Sequence, residues 1–160
     1  MKPITITLSI PELVYDIQNK TYLTGKSRRT GSNHEEVANM QANDDDENAN
    51  QILRSISMAF ATLRTKLSEY LDIDESGATD EPQKSTGELS LTMNMPSNYN
   101  TSTVKTLAEA AHQYVVAVAI ADWFTITDKT DAADYSRSAT SALQILSEAA
   151  HKRLRPERKQ

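Results

Sequence analysis

The sequence predicts an α+β fold that is predominantly α-helical: a helical bundle of long central helices and a C-terminal helical hairpin, with a small β-sheet from residues 3–10 and 88–95. Apolar residues recur at three- and four-residue steps across 52–71, which is the period of an amphipathic helix. Two other segments alternate apolar and polar residues, as strands do. Only 4 of the 160 residues are glycine and 5 are proline, which suits a helix-rich domain. The whole chain, 1–160, is expected to form one domain.

The first element is a half-buried strand, in which isoleucine or leucine alternates with threonine or serine from residue 4 to residue 10. Ser9 is expected to cap a short helix that begins near Pro11, because proline is favoured in the first helical turn. The helix is expected to end before Gly25. Its apolar face consists of Leu13, Val14 and Ile17.

Two segments, about 26–50 and 72–87, are expected to be loose, because neither shows a sustained apolar period. Loops of this length inside a compact domain are normally functional or disordered. Between them, 52–71 predicts an amphipathic helix of about six turns. Since it has fewer than three heptads, it is expected to lie on a core rather than to form a coiled coil.

The second half of the chain begins with a strand at 89–95, whose apolar residues are expected to share a sheet face with the first strand. The helix that follows, about 102–124, is apolar almost all round. It is therefore expected to be the central buried helix or to bury its second face against another subunit. A short turn, 125–130, and an alanine-rich last helix complete an antiparallel hairpin. The candidate subunit-packing residues are Tyr114, Val118, Trp123 and Phe124.

Charge is unevenly distributed along the chain. The net charge is −5, with acidic residues at 44–47 and 72–81, whereas five of the last nine residues are lysine or arginine. A basic tail, 151–160, on an acidic body indicates contact with nucleic acid or with an acidic partner surface, or a terminus that is simply solvated. A second basic cluster consists of Lys20, Lys26, Arg28 and Arg29.

Several classes of function are disfavoured by composition. The chain has no cysteine, which excludes disulfides, a thiolate nucleophile and cysteine-based metal sites. Its first residues lack the pattern of a signal peptide, and its longest apolar stretch, 114–121, is too short to span a bilayer. A soluble protein without membrane contact is expected.

Four local patterns imitate chemical sites. The run Thr24-Gly25-Lys26-Ser27 resembles the end of a phosphate-binding loop, but Lys20 stands where its first glycine belongs. The stretch 72–83 resembles a calcium loop, but Gln83 replaces its bidentate glutamate, which leaves weak cation binding or a solvated acidic loop. The run 34–36 beside 44–47 lacks the histidine spacing of a zinc site.

The fourth pattern is His112, one helical turn after Glu109, a spacing typical of a surface pair rather than a catalytic dyad. The chain shows no convincing catalytic triad, pair of buried carboxylates or glycine-rich cradle. The sequence therefore predicts that the protein is not an enzyme and holds no cofactor and no metal.

The second half of the chain resembles a known class of proteins. Its strand at 89–95 is followed by Pro96-Ser97-Asn98-Tyr99, its long helix ends in Trp123-Phe124, and its last helix closes in a basic, proline-containing tail. This layout resembles small virion proteins of tailed phages of Bacteroides-type gut bacteria. The helical hairpin is similar to that of head-tail connector (adaptor) proteins, which form a ring beneath the portal. The resemblance covers roughly the last 70 residues.

The resemblance implies a structural virion protein of the neck: a homo-oligomeric ring, expected to be a 12-mer, between portal and tail. Its implied partners are the portal protein and tail-side neck proteins, with possible non-specific contact to DNA in the channel. It would be found in the virion neck, and in the host cytoplasm during assembly. The residues expected to dock on the portal are Lys152, Arg153, Leu154, Arg155 and Arg158.

Two alternatives stay open at this point. The chain can be a tail-completion or head-closure protein of the same neck, since its N-terminal strand and helix do not match the adaptor pattern. It can also be a small nucleic-acid-binding regulator of a phage or mobile element that uses the basic tail. The response of DNA affinity to salt distinguishes the regulator from the ring protein.

Overall fold

A computed structural model describes residues 1–72, 78–82 and 84–158. It confirms the predominantly helical α+β fold, with 63% helix and a small antiparallel sheet. In chain order the elements are β1 (Lys2–Ser9), α1 (Ile10–Ser27), α2 (His34–Met40), α3 (Asp46–Lys66), β2 (Glu88–Met95), α4 (Val104–Thr127) and α5 (Lys129–His151).

The strands β1 and β2 pair in an antiparallel register that runs from Lys2 opposite Met95 to Ser9 opposite Glu88. Their alternating sequences place apolar side chains on one face, which packs on the core, and small hydroxyl side chains on the other. The buried side chains of the inner face are Ile6, Leu8, Leu89, Leu91, Met93 and Met95.

The two edges of this sheet differ. The backbone of the segment after α3 covers the outer edge of β2: the Asn94 amide donates to the Tyr70 carbonyl at 2.7 Å, and the Asp72 amide donates to the Thr92 carbonyl at 3.2 Å. Along the outer edge of β1, by contrast, no residue in 1–72, 78–82 or 84–158 pairs its backbone with the strand.

The central element is α4, which contacts α1, α2, α3, α5 and β1. Its middle is apolar on every side, so it buries residues around its whole circumference, as predicted for a central helix. The amphipathic helix α3 lies against it with a buried face of Ile52, Ser55, Ile56, Ala59, Phe60 and Leu63.

The prediction that 26–50 is loose is wrong. α1 continues through Gly25 to Ser27, α2 occupies 34–40, and α3 already begins at Asp46. A glycine inside α1 is explained by packing, because a Cβ at Gly25 would lie 3.1 Å from the Val37 carbonyl oxygen of α2. The predicted loose segment 72–87 lies partly outside the described residues, and its described part contains no helix or strand.

Two predicted boundaries also change. The turn expected at 125–130 is helical except for Asp128, because α4 runs to Thr127 and α5 begins at Lys129. The Thr127 hydroxyl donates to the Trp123 carbonyl at 3.1 Å, which lets a threonine remain in the last helical turn. Ser9 does occupy the N-cap position of α1, but its side chain makes no capping hydrogen bond.

Candidate functional site

The basic tail has a fixed root. After α5 the chain runs antiparallel to the segment that precedes α4: the Asn100 amide donates to the Lys152 carbonyl at 3.1 Å, and the Leu154 amide donates to the Asn98 carbonyl at 2.8 Å. We call residues 152–154 the tail root. Two backbone hydrogen bonds therefore set the direction in which the chain leaves the helical body.

The partner of the tail root is itself anchored in the core. Tyr99, which forms the bridge to Arg153, is fully buried. Its hydroxyl donates to the Ala149 carbonyl at 3.1 Å and lies 3.0 Å from the Thr103 hydroxyl, which also donates to Ala149. The tail root is thus joined to the end of α5 and the start of α4 through one buried tyrosine.

Arg153 holds the root from the other side. Its guanidinium donates to the Ala150 carbonyl at 3.0 Å and to the Tyr70 hydroxyl at 3.2 Å. Burial raises the pKa of the Tyr70 phenol above its ordinary value of 10.0, and the Arg153 hydrogen bond acts in the opposite direction. Beside this pair, the His151 ring packs edge-on against Tyr70 and its Nε2 lies 3.2 Å from a Glu69 carboxylate oxygen.

These contacts correct the predicted docking set. Arg153 stabilises the chain's own fold, because its guanidinium is engaged within the molecule, and the backbones of Lys152 and Leu154 are also used internally. The side chains of Lys152 and Leu154 remain exposed. Residues 155–158, which we call the arm, are exposed, and neither Arg155 nor Arg158 forms a hydrogen bond or ion pair with any described residue.

The predicted subunit-packing residues are also corrected. Tyr114, Trp123 and Phe124 are buried inside the single chain, so they belong to its core. The Trp123 indole N–H donates to the Met40 carbonyl at 2.8 Å. Only Val118 keeps part of its surface exposed, in a shallow groove between α4 and α5.

An acidic groove lies at the outer edge of β1. It has a volume of about 270 Å³ and is lined by residues 7–9 of β1 together with side chains of α1 and α4. Three carboxylates, Glu12, Asp16 and Glu109, surround one histidine, His112, whose Nε2 lies 2.5 Å from an Asp16 oxygen. His112 therefore pairs with α1 and not with Glu109, the partner that its helical spacing predicted.

A basic groove of about 360 Å³ lies between α1 and α2. Lys26, Arg29 and His34 line it, and Arg29 Nε donates to His34 Nδ1 at 3.2 Å. The Lys26 ammonium lies 5.9 Å from the centre of the exposed Tyr22 ring, within cation–π range. Part of the basic cluster predicted from the sequence is thus brought together on one surface.

Arg28, the fourth member of that cluster, points elsewhere. It forms an ion pair with the buried Asp131 of α5, whose charge and hydrogen bond raise the pKa of Arg28 above its ordinary value. The second Asp131 oxygen is buried without a partner in the described part of the chain. No local pattern indicated this pair, because its two residues are 103 positions apart.

Apart from His112, the patterns that resemble chemical sites lie in different parts of the structure. The run resembling a phosphate-binding loop is helical, since all four of its residues lie in α1. Half of the calcium-like stretch 72–83, namely 73–77 and 83, lies outside the described residues. Within 1–72, 78–82 and 84–158, no group of three or more His, Asp or Glu side chains is placed to hold a metal ion.

Among the described residues, none of the helices combines the length and the apolar character that crossing a membrane requires. The acidic groove was not predicted, because its charges come from two helices and meet only when α1 and α4 pack beside β1. No protein-family model, curated protein or solved structure shows significant similarity to the chain.

Proposed function

We propose that the protein is a structural virion protein, a head-tail connector (adaptor) that forms a homo-oligomeric ring between the portal and the tail of a tailed phage. The observation that carries the proposal is the arm on its fixed root: an exposed segment, whose arginines have no hydrogen bond or ion pair with any described residue, leaves the body in a direction set by Arg153 and two backbone hydrogen bonds. A segment of this kind suits docking on another protein.

The body supports the same proposal. α4 and α5 contain 24 and 23 residues, so each is about 35 Å long, and one residue separates them. They pack as an antiparallel hairpin on a core that also includes α3 and the sheet. A ring subunit needs such a rigid body, since its neighbours must meet at a fixed angle for the ring to close.

The test is the number of copies per particle. Phage particles from the host that carries this gene are purified and analysed by quantitative mass spectrometry, with the portal protein as internal standard. A copy number equal to that of the portal is expected. A copy number near that of the major capsid protein, or absence from particles despite abundance in infected cells, would refute a neck ring.

A tail-completion or head-closure protein of the same neck is the nearest alternative, and the position of the protein in the particle separates it from an adaptor. Cryo-electron microscopy of the neck, with density assigned through the long α4–α5 hairpin, is expected to place the protein directly against the portal. Density on the tail side of a separate adaptor ring would favour the alternative.

A second function, binding of nucleic acid by a small regulator, is favoured by the basic groove between α1 and α2. Its cations and the exposed Tyr22 ring suit a phosphate backbone and a stacked base. Fluorescence anisotropy with a DNA oligonucleotide tests it. Binding that weakens steeply with salt and is lost in Lys26→Glu/Arg29→Glu, but not in Arg155→Glu/Arg158→Glu, would support the regulator.

A further inference from the structure

We infer that the acidic groove beside β1 is a receptor for the arm of a second copy of this chain, so that neighbouring subunits of the ring are joined arm to groove. The inference rests on the proposed function, because it names the contact by which such a ring would be built. It combines three features of the described residues: an unpaired strand edge, three carboxylates beside it, and a cationic extended segment without a partner.

The strand edge supplies backbone hydrogen-bonding groups. β1 spans eight residues, is uncharged from Pro3 to Ser9, and pairs its outer side with the backbone of no described residue. Proteins usually protect such an edge with charges, bulges or a covering segment, as the segment after α3 does here for β2. An exposed edge of this length is suited to the addition of one more strand.

The groove supplies the charge. It is lined by residues of β1 but by none of β2, so it runs along the unpaired side of the sheet. A segment added to this edge would meet Glu12 and Asp16 on α1 and Glu109 on α4. His112 is already engaged with Asp16, which leaves Glu12 and Glu109 as the carboxylates best placed for an incoming cation.

The arm has matching chemistry. Arg155 and Arg158 are exposed, about 10 Å apart and on opposite faces of an extended chain, so one of them can face the carboxylates, and Pro156 favours an extended conformation for the residue before it. Arginine suits carboxylate partners, since its planar guanidinium can donate two parallel hydrogen bonds. A proline is tolerated in an added strand because that strand is itself an edge.

Geometry favours a second copy over the chain's own arm. The Lys2 ammonium donates to the Tyr99 carbonyl at 3.0 Å, so the arm leaves near the Lys2 end of β1. The groove begins about five residues further along the strand, or about 17 Å. Arg155 and Arg158 lie at most about 4 Å and about 14 Å from Leu154 in an extended chain, so these two residues do not both lie beside residues 7–9 of their own chain.

Joining an arm to a groove on a different surface is a heterologous contact. Such contacts repeat from subunit to subunit and give a closed ring when the rotation between neighbours closes. The other candidate binding partners of the arm are the portal protein and DNA, and the experiment below distinguishes them from a second copy.

The experiment is nuclear magnetic resonance of the full chain in a mixed sample. Because the chain has no cysteine, Gln160→Cys gives a single site for a nitroxide label. Unlabelled protein carrying the nitroxide is mixed with ¹⁵N-labelled protein without it. We expect loss of amide signal intensity at residues 7–9, Glu12 and Glu109 of the ¹⁵N-labelled copy, where the arm of the other copy docks.

Charge reversal makes the result specific. Arg155→Glu/Arg158→Glu and Glu12→Lys/Glu109→Lys should each abolish the signal loss in self-mixed samples. Mixing the two variants should restore it, since in one direction a reversed arm meets a reversed groove and in the other the unchanged arm meets the unchanged groove. Lys66→Glu, outside both surfaces, is the matched control and should behave like the wild type, and circular dichroism confirms that every variant is folded.

Two outcomes would overturn the inference. One is an absence of signal loss at the groove at millimolar protein, and the other is signal loss that charge reversal does not change. If the arm variants fail to enter particles while the groove variants enter normally, the arm docks on the portal. That result refutes the arm-to-groove contact and leaves the neck function standing, whereas the copy number in particles tests the neck function by itself.

Discussion

At the scale of single residues, Trp123 joins the central helix to the C-terminal end of α2. Its ring is buried in the core, and its indole N–H donates to the Met40 carbonyl at 2.8 Å. A buried donor that loses its partner costs free energy, as does the cavity left by a large side chain. Both free-energy costs arise when Trp123 is changed. Substitution of Trp123 is therefore a sensitive test of how α2 is attached to α4.

Trp123→Ala is expected to lower the free energy of unfolding by about 3–5 kcal/mol, because it removes a large buried side chain. Trp123→Phe keeps most of the apolar volume but loses the hydrogen bond to Met40, so a smaller loss is expected. Urea unfolding followed by circular dichroism measures both. A loss below about 1 kcal/mol for the alanine variant would mean that Trp123 is not a core residue.

The raised pKa of Tyr70 predicts that the free energy of unfolding falls at alkaline pH. Because burial raises the pKa of its phenol, the folded chain keeps the proton more tightly than the unfolded chain. The resulting stabilisation is fully present below the ordinary pKa of 10.0 and is lost as pH rises through the raised value in the folded state. Tyr70→Phe should therefore reduce the loss of stability above that pH.

Urea unfolding at a series of pH values from neutral to alkaline checks the Tyr70 prediction. The matched control is Tyr15→Phe, which removes the hydroxyl of a tyrosine that is 63% exposed rather than buried. Identical alkaline slopes for Tyr70→Phe and the wild type would contradict the prediction.

At the scale of elements, the junction between α4 and α5 depends on one side chain. Asp128 is the only residue between the two helices, and its carboxylate accepts a hydrogen bond from the Thr130 amide at 2.9 Å. It therefore satisfies one of the free amides at the start of α5 and places a negative charge at the positive end of the helix.

Asp128→Ala is expected to lower the free energy of unfolding by about 1 kcal/mol, the usual effect of losing an N-cap. Ser9→Ala is the matched control, because Ser9 occupies an N-cap position but makes no capping hydrogen bond, and it should change stability much less. Chemical unfolding of both variants gives the comparison. An equal effect at the two positions would show that the Asp128 hydrogen bond is not what stabilises the junction.

The elements differ in how far the sequence could predict them. The strands and α3 were predicted because their apolar residues repeat with the period of the structure. α2 was missed because it has only seven residues and one buried side chain, Met40, too few to show a helical period. It is held by contacts distant in sequence, with Gly25 and Trp123, which no local pattern records.

Only the charges of the candidate site could be predicted from the sequence. The sequence identified the basic tail but not its root, because Arg153 meets Tyr70, 83 positions earlier, only in the folded chain. Residues expected to pack against other subunits were apolar enough for either a core or an interface. The packing of α5 and the neighbouring elements on α4 places Tyr114, Trp123 and Phe124 in the core and leaves Val118 partly exposed.

At the scale of the whole molecule, the chain consists of a body that includes the tail root and an arm that the fold does not use. Deleting residues 155–160 is therefore expected to leave the free energy of unfolding unchanged. Deleting 153–160 also removes the Arg153 hydrogen bonds and the Leu154 backbone hydrogen bond, and should lower it by about 1–3 kcal/mol.

Thermal and urea unfolding of the two deletions measure this difference. If the shorter deletion destabilises the protein as much as the longer one, the arm contributes to the fold. If neither deletion has an effect, the root does not stabilise the body, and the direction of the arm is not fixed by the contacts described above.

The open edge of β1 also has a consequence for the time between synthesis and assembly. A long, uncharged and unpaired strand edge can pair with any extended chain, including other copies of the same strand in wrong registers. If the protein forms the proposed ring, newly made subunits are in a kinetic competition between correct assembly and irreversible aggregation, and the outcome depends on concentration. Production of the subunit at a rate matched to that of its partners would keep this hazard low.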